Sequence, residues 1–194
     1  MARDNWTREQ LIPAFNLYCK LSFGRLHHRN PQIIELAGMI GRSPSAVAWK
    51  LSNFASLDPS LKKRDIKGAS HGSKADEQIW IEFNHNWDNL AIESEALYTK
   101  LLGKQVPEPD DYDDSFEQAR GKEALRLSKV RVNQSFFRTA VLSAYNNQCA
   151  ITRIANVELL NASHIIPWRV DTTNRLNPRN GICLNALHDR AFGC

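Results

Sequence analysis

The 194-residue chain has few cysteines, no long apolar run and no strong excess of either charge. Its four cysteines are scattered and form no CxxC pair: Cys19, Cys149, Cys183 and Cys194. This spacing excludes a zinc ribbon and a thioredoxin-like motif, and single thiols are typical of a reducing compartment. No segment approaches the about 20 apolar residues that cross a bilayer, and residues 1–10 lack the apolar core of a signal peptide. These absences predict a soluble, cytoplasmic protein with no membrane segment.

The charge of the chain is mildly positive and unevenly distributed. The formal net charge is +4 and the pI is near 8.9, which is a weak indication of a polyanionic partner. Residues 108–117 hold six acidic residues and no basic one. Together with the nearby glycine and prolines, this run predicts a solvated acidic linker at 103–121. The linker would separate a helical region, 1–102, from a C-terminal module, 122–194.

The segment 33–54 predicts two short helices joined by a tight turn. Gly41 ends the first helix, and Ser43-Pro44 starts the second. The apolar stripe of the first helix consists of Ile33, Leu36, Ala37 and Ile40. Two short helices joined by a glycine-containing turn are typical of a helix-turn-helix motif. The alternative is a helical hairpin in a small bundle that makes no DNA contact.

In a helix-turn-helix the second helix, here residues 45–54, would enter the major groove. Arg42 precedes this helix, and its candidate DNA-contacting side chains are Ser45, Trp49, Lys50 and Asn53. A basic loop follows, and its cations could lie along the phosphate backbone: Lys62, Lys63 and Arg64. The alternative for this loop is an ordinary solvated surface.

The C-terminal region predicts a long helix, then a strand, a loop, a short strand and a helix. Residues 122–146 form the long helix, residues 157–166 are β-like, and residues 182–184 form the second strand. Residues 177–181 have the composition of a turn, and Asn185 opens the last helix. The expected fold class is α+β, with a helical N-terminal domain and a small C-terminal module.

Three motifs of this region occur in a specific order. They are SHIIPW at 163–168, NPRNGICL at 177–184 and HDRAF at 188–192. In this combination they resemble the HNH endonuclease family, and the resemblance extends over residues 126–194. The upstream helix resembles a branch that includes predicted restriction endonucleases. The resemblance implies a ββα-metal fold that holds one divalent cation against a scissile phosphate of DNA, and it implies a restriction or phage-defence role.

The resemblance assigns catalytic roles by position. His164 matches the general base, and Asn180 matches the central asparagine that orients this histidine through hydrogen bonds. The metal-binding position falls at His188 or Asp189. The last histidine of the family motif favours His188, whereas alignment on Asn180 favours Asp189. His188 is therefore a candidate for catalysis and metal binding, and Asp189 is a candidate for metal binding.

The chemistry of phosphodiester hydrolysis agrees with these residue types. The reaction needs an activated water and positive charge beside the phosphate and the leaving oxygen. An imidazole can take the proton of the water, and Arg175 and Arg179 could clamp phosphate oxygens. Mg²⁺ is the expected cofactor, and Mn²⁺, Ni²⁺ or Zn²⁺ could replace it because histidine and carboxylate ligands accept several divalent ions.

Two departures from the family pattern keep other functions open. Ser163 stands where many HNH enzymes have an acidic or histidine metal ligand, and the chain stops soon after Phe192, where similar sequences continue. Both features favour a noncatalytic DNA-binding protein or regulator with a decayed or truncated HNH module. An RNA-directed nuclease or toxin is a third hypothesis, although no aromatic RNA-binding signature is present. The main prediction is a metal-dependent endonuclease for double-stranded DNA. Double-strand cutting often needs two active sites, which a homodimer would supply.

Overall fold

The computed structural model describes residues 5–66, 68–69, 72–103, 115–171 and 174–192. These residues form eight α-helices and one two-stranded sheet. The helices are α1 Arg8–Cys19, α2 Pro31–Met39, α3 Pro44–Leu57, α4 Pro59–Lys62, α5 Lys74–Phe83, α6 Trp87–Leu101, α7 Ser115–Ala144 and α8 Ala186–Phe192. The strands are β1 Leu160–His164 and β2 Gly181–Asn185. No helix among the described residues is long and apolar enough to cross a membrane. Residues 104–114 of the predicted linker and the chain end at Cys194 lie outside the described residues.

Helices α2 and α3 begin at polar residues that are followed by proline. The side-chain oxygen of Asn30 accepts the backbone N–H of Gln32 at 2.9 Å, and Ser43 Oγ accepts that of Ala46 at 3.2 Å. Each cap satisfies a backbone donor that the first helical turn leaves without a partner. Proline has no such donor and suits the first helical position. The start of α3 predicted from Ser43-Pro44 is confirmed, and Asn30-Pro31 begins α2 in the same way.

Helices α2 and α3 pack against each other across a turn at residues 40–43. Gly41 in this turn has a φ of +67°, in the left-handed region that favours glycine. The contact between the helices buries an apolar set that includes Ile33, Leu36, Val47 and Leu51. The two predicted helices and their turn are therefore present, whereas the helix-turn-helix assignment and its binding to DNA stay predictions.

An aromatic cluster joins the N-terminal helices to one another and to α7. The ring centroid of Phe15 lies 5.0 Å from that of Phe54 and 5.5 Å from that of Trp80. Trp87 of α6 stacks on Phe136 of α7 at 6.3 Å between centroids. The buried apolar residues of the helical region and of the C-terminal module form one continuous hydrophobic cluster. The two predicted regions therefore share a core.

Helix α7 begins earlier than the composition predicts. Residues 115–121, which the acidic composition assigns to a linker, are helical, and the helix ends at Ala144 instead of residue 146. These seven residues are therefore helical, and the predicted boundaries of the linker stay a prediction. Negative charge is favourable near the start of a helix, because the helix dipole is positive there. An acidic run therefore does not by itself exclude a helix start.

The C-terminal module consists of the antiparallel pair β1–β2, followed directly by α8. His164 pairs with Gly181 and Leu160 pairs with Asn185. The first strand is shorter than predicted because Val157–Leu159 is a 3-10 turn. Asn185 Oδ1 accepts the backbone N–H of His188 at 2.9 Å and so begins α8 as predicted. Helix α7 packs against both strands, and the chain is mostly helical with a small C-terminal sheet, as the α+β prediction requires.

Candidate active site

The imidazole of His164, at the end of β1, is held by three groups. Its Nε2 lies 2.7 Å from the carbonyl oxygen of Arg175, and its ring stacks on Phe137 at 4.2 Å with an interplanar angle of 3°. The ring of Trp168 meets it edge-on at 5.4 Å. Because a carbonyl oxygen only accepts hydrogen bonds, Nε2 must carry the proton. Nδ1 is therefore the ring nitrogen that can accept a proton from another molecule.

Asn180 ties the loop after β1 to the turn before β2. Its Oδ1 accepts the backbone N–H of Ile166 at 2.8 Å, and its Nδ2 donates to the carbonyl of Ile166 at 3.1 Å. Its own carbonyl accepts the backbone N–H of Ile165 at 2.9 Å. Asn180 is buried, where an unmade hydrogen bond is costly. These bonds fix the backbone directly after His164.

Asp189 of α8 faces strand β1. Its carboxylate accepts hydrogen bonds from Asn161 Nδ2 at 2.7 Å and from the hydroxyl of Ser163. Side chains two residues apart in a strand lie on the same face, so Asn161 and Ser163 meet α8 together. Both partners are neutral, and no described cationic side chain forms an ion pair with this carboxylate. Its negative charge is therefore free to attract a metal cation.

His188 lies on a different side of α8 from Asp189. Its Nδ1 is 3.5 Å from the buried Sγ of Cys149. Desolvation by burial raises the pKa of Cys149, but hydrogen bonds from Thr152, His188 and the backbone of Ile151 outweigh it and lower the pKa to about 6. The structure thus separates the two candidate metal ligands: Asp189 meets β1, whereas His188 contacts the thiol.

His164 and Asp189 line one cavity of about 380 Å³. Other side chains that line it are Gln134, Phe137, Arg138, Asn161, Trp168 and Leu176. A proton acceptor, a carboxylate and an arginine in one cavity are suited to an anionic substrate that needs charge stabilisation. Three of these residues, Gln134, Arg138 and Asn161, are not among the site residues that the sequence predicts. The period-two spacing of Asn161 and Ser163 could have indicated the last of these, whereas the first two depend on how α7 packs.

The carboxylate of Asp189 fits a hard divalent cation. Mg²⁺ is commonly bound through one or two carboxylates and takes its remaining ligands from water and substrate phosphates. Asp189 supplies one carboxylate, and the hydroxyl of Ser163 and the amide Nδ2 of Asn161 donate hydrogen bonds to it. No group of three or more His, Cys, Asp or Glu side chains suited to a metal occurs among the described residues. An ion bound here would therefore have Asp189 as its charged protein ligand.

The two predicted phosphate clamps are already bound to protein groups. Arg175 Nε donates to the carbonyl of Trp168 at 3.1 Å, and its guanidinium lies 5.2 Å from the centroid of that ring. Arg179 donates to Asp58 at 3.0 Å. That these arginines contact phosphate stays a prediction. To bind a phosphate, each guanidinium would have to give up its present protein partner.

The structure corrects two of the predicted DNA contacts in α3. Lys50 Nζ forms an ion pair with Asp76 at 2.7 Å, and Asn53 Nδ2 donates to the same carboxylate at 3.1 Å. Lys50 is only 6% exposed and Asn53 only 4%. Both side chains face α5 instead of solvent, so the prediction that they contact a DNA groove is wrong.

The other predicted contacts in the N-terminal helices differ in exposure. Trp49 is 61% exposed. The exposed polar candidates are Ser45, Lys62, Lys63 and Arg64. Arg42 is partly buried, and it donates to Gln10 Oε1 at 2.9 Å and to the carbonyl of Asn5 at 2.9 Å. Binding of DNA by these residues stays a prediction.

Gly181 allows β2 to approach α7 beneath the active site. A Cβ added at this position would lie 2.2 Å from Val141 Cγ2 and 3.0 Å from Phe137 Cζ. We expect Gly181→Ala to lower the free energy of unfolding by about 1–3 kcal/mol, because a packed core resists an added methyl group. Urea denaturation measures this change. The added methyl group should also disturb the His164 ring, which stacks on Phe137.

Gly38→Ala is the matched control for this substitution. Nothing lies within 4 Å of its added Cβ, and Gly38 is inside α2. We expect this variant to be about 0.5–1 kcal/mol more stable, because glycine is unfavourable within a helix. A Gly181→Ala variant as stable as the wild type would show that α7 moves to accommodate the methyl group.

The candidate active site lies in a segment of the chain that matches a known protein family. Residues 149–193 match a protein family described as HNH endonuclease. The matched range contains His164, Asn180, His188 and Asp189. No curated protein and no solved structure matches the chain. The match supports a nuclease-type function for this segment.

Proposed function

Because the C-terminal segment of the chain, residues 149–193, belongs to the HNH endonuclease family, we propose that this protein hydrolyses phosphodiester bonds of double-stranded DNA. One observation is central to the proposal: His164, with its proton on Nε2, lines the same cavity as the carboxylate of Asp189. The first can take a proton and the second can hold a cation. Phosphodiester hydrolysis needs both functions.

His164 is the general base in this proposal. Its Nδ1 takes a proton from water, and the resulting hydroxide attacks phosphorus. The bond from phosphorus to the leaving oxygen breaks, and this oxygen keeps the electron pair and takes up a proton from solvent. The carbonyl of Arg175 accepts from Nε2 both before and after this proton transfer. The stack on Phe137 and the hydrogen bonds of Asn180 hold the imidazole in one orientation. Such positioning lowers the entropic part of the barrier.

Asp189 is the charged metal ligand in this proposal, and the hydroxyl of Ser163 is a neutral oxygen beside it. HNH nucleases generally use a divalent metal ion, whose positive charge stabilises the scissile phosphate and the leaving oxygen. Mg²⁺ is proposed because one carboxylate with neutral oxygens matches its preferences. Arg138, in the cavity wall, would contact another phosphate oxygen, in place of or beside the Val157 carbonyl to which it donates at 3.2 Å. His188 instead stabilises α8 through its contact with Cys149.

Neighbouring substitutions in α8 test this assignment. We expect Asp189→Asn to reduce Mg²⁺-dependent cleavage by at least about tenfold to a hundredfold, because the amide keeps the shape of the carboxylate but not its charge. The matched change His188→Asn should keep the Mg²⁺ dependence, since this side chain contacts Cys149. Initial rates across a Mg²⁺ titration measure both, with thermal unfolding as the check on folding. If His188→Asn reduced the Mg²⁺-dependent cleavage and Asp189→Asn did not, the metal ligand would be His188.

The exposed cations near α4 are proposed to bind the DNA backbone. Asp58 caps α4 by accepting the backbone N–H of Ser60 at 2.8 Å, and it also binds Arg179 at 3.0 Å. The basic cluster Lys62, Lys63 and Arg64 is therefore close in the chain to a residue that contacts the HNH module. Its cations would give salt-dependent affinity. Helix α3, on which Ser45 and Trp49 are exposed, is proposed to give a preference for particular DNA sites. The proposed biological role is restriction or phage defence.

Cleavage of supercoiled plasmid tests the proposed function. The 194-residue protein is incubated with plasmid in Mg²⁺, in Mn²⁺ and in EDTA, and binding of the same DNA is measured in parallel. Nicked or linear product that requires metal is the expected result. Binding without cleavage in either metal would contradict the nuclease and favour a noncatalytic DNA-binding protein. Cleavage of RNA alone would assign a different substrate.

A further inference from the structure

A second cavity, of about 240 Å³, lies between helices α1, α6 and α7. Its lining includes Asn16, Lys20, Ser94, Glu95, Arg131 and Phe136. None of these residues lines the cavity of His164 and Asp189. The second cavity is therefore separate from the candidate active site.

Two polar atoms in the wall of this cavity are buried without a hydrogen-bond partner. They are Oδ1 of Asn16 and Oγ of Ser94, in residues that are only 2% and 1% exposed. A buried polar group without a partner is costly. The amide oxygen of Asn16 requires a donor, whereas the hydroxyl of Ser94 can donate or accept. The cavity therefore has hydrogen-bonding capacity that a ligand would satisfy.

Lys20 brings a positive charge to the same cavity. Its Nζ lies 5.7 Å from the centroid of the Phe136 ring and forms no ion pair with the described residues. Burial lowers the pKa of Lys20, and the carboxylate of Glu95 partly opposes this effect. A largely buried ammonium without a hydrogen-bonded anion is unfavourable. Arg131 adds a second cation to the lining, so the cationic side chains outnumber the carboxylate of Glu95.

One wall of the second cavity is apolar. Ala91, Val132 and the ring of Phe136 line this part of the cavity. Phe136 is 2% exposed and stacks on Trp87, so it offers a ligand only a ring edge. Aromatic rings also pair edge-to-face, so a flat ring that meets this edge suits the wall. A fitting ligand would combine an anionic group, a hydrogen-bond donor and a flat ring. A nucleoside monophosphate has all three, in its phosphate, the N–H groups of its base and the base itself.

We propose that this second cavity binds a nucleoside monophosphate, either as a free nucleotide or as the phosphorylated end of a DNA strand. The phosphate lies against Lys20 and Arg131, a base N–H donates to Asn16 Oδ1, and the base contacts Phe136. The proposal does not depend on nuclease activity, because no residue of the second cavity belongs to the candidate active site. Binding and cleavage can therefore fail independently.

Isothermal titration of the 194-residue protein with 2′-deoxynucleoside 5′-monophosphates tests the proposal. Inorganic phosphate and the unphosphorylated nucleosides are the comparison ligands, and both should bind more weakly. Lys20→Met should reduce the affinity for the nucleotide by about ten- to a hundredfold, which is the usual effect of a lost charged hydrogen bond. Lys100→Met is the matched control, because the Lys100 side chain is 70% exposed and lies outside the cavity.

Two further arms make the result decisive. Lys20→Met removes a buried charge and should unfold no earlier than the wild type, so a loss of binding would not reflect unfolding. Ser94→Ala should also weaken binding. A short duplex with or without a 5′-phosphate distinguishes a strand end from a free nucleotide. Failure of both the free nucleotide and the phosphorylated end to bind, or binding that Lys20→Met leaves unchanged, would overturn the proposal.

Discussion

The His164→Ala variant is expected to cleave plasmid DNA about a hundred- to ten-thousandfold more slowly than the wild type, the usual contribution of a positioned general base. The imidazole is the group that the Arg175 carbonyl, Phe137 and Trp168 hold in one orientation. Its removal takes away the proton acceptor and leaves Asp189 and its neighbours in place. Initial rates of nicking in saturating Mg²⁺ measure the effect.

His164→Gln separates the position of this side chain from its basicity. The glutamine amide can still donate to the carbonyl of Arg175, but it cannot take a proton from water. We expect the glutamine variant to fold like the wild type and to be as slow as the alanine variant. His85→Ala, at an exposed position after α5, should have no effect on cleavage. Wild-type rates in both His164 variants would remove this residue from the mechanism.

Asp76→Ala is expected to lower the free energy of unfolding by about 3–5 kcal/mol, because it leaves a buried ammonium without its counter-ion. The Asp76 side chain is fully buried, and that of its partner Lys50 is 8% exposed. The same carboxylate accepts hydrogen bonds from Asn53 Nδ2 at 3.1 Å and from the backbone N–H of Ser73 at 2.9 Å. Chemical denaturation monitored by tryptophan fluorescence measures the change.

Two controls accompany the Asp76 variant. Glu9→Gln breaks the ion pair between Glu9 and Lys100, in which the two side chains are 69% and 70% exposed. It should leave the free energy of unfolding unchanged, because exposed ion pairs contribute little. The double variant Lys50→Met with Asp76→Asn should recover part of the loss, since it removes both buried charges. An Asp76→Ala variant of wild-type stability would contradict a structural role for this ion pair.

The buried pair also changes how DNA-binding experiments on α3 should be interpreted. A Lys50 variant that no longer binds DNA would do so because the helical region loses stability. Trp49, on the same helix, is 61% exposed, so a substitution there can alter binding without disturbing the core. Comparison of the two positions separates contact with DNA from support of the fold.

Short-range features of the fold followed directly from the sequence. The Asn–Pro and Ser–Pro pairs at the starts of α2 and α3, and Asn185 at the start of α8, act within three residues of themselves. The motif residues His164 and Asn180 also lie as predicted, the first at the end of one strand and the second in the turn before the next. Asn180 accepts hydrogen bonds from the backbone N–H groups of residues 165 and 166, which directly follow His164. The start of α7 was less predictable, because acidic composition is compatible with both a linker and a helix start.

Side-chain direction was the main source of error in the predicted sites. The helical pattern predicts that Lys50 and Asn53 are exposed, yet both face Asp76 on α5. The period of α8 alone does not tell which of His188 and Asp189 faces the sheet, because both are chemically competent ligands. The second cavity had no counterpart in the sequence pattern, since its lining comes from α1, α6 and α7.

By itself, the sequence determined the helix caps, the α+β content and the motif that identifies the HNH segment, because each depends on residues close together in the chain. Only the tertiary structure decided that Asp189 meets Asn161 across 28 residues and that Lys50 meets Asp76 across 26. The reason is physical: the direction of a side chain and the neutralisation of its charge depend on which distant element packs against it. Local pattern supplied the candidate groups, and packing determined which of them share a cavity.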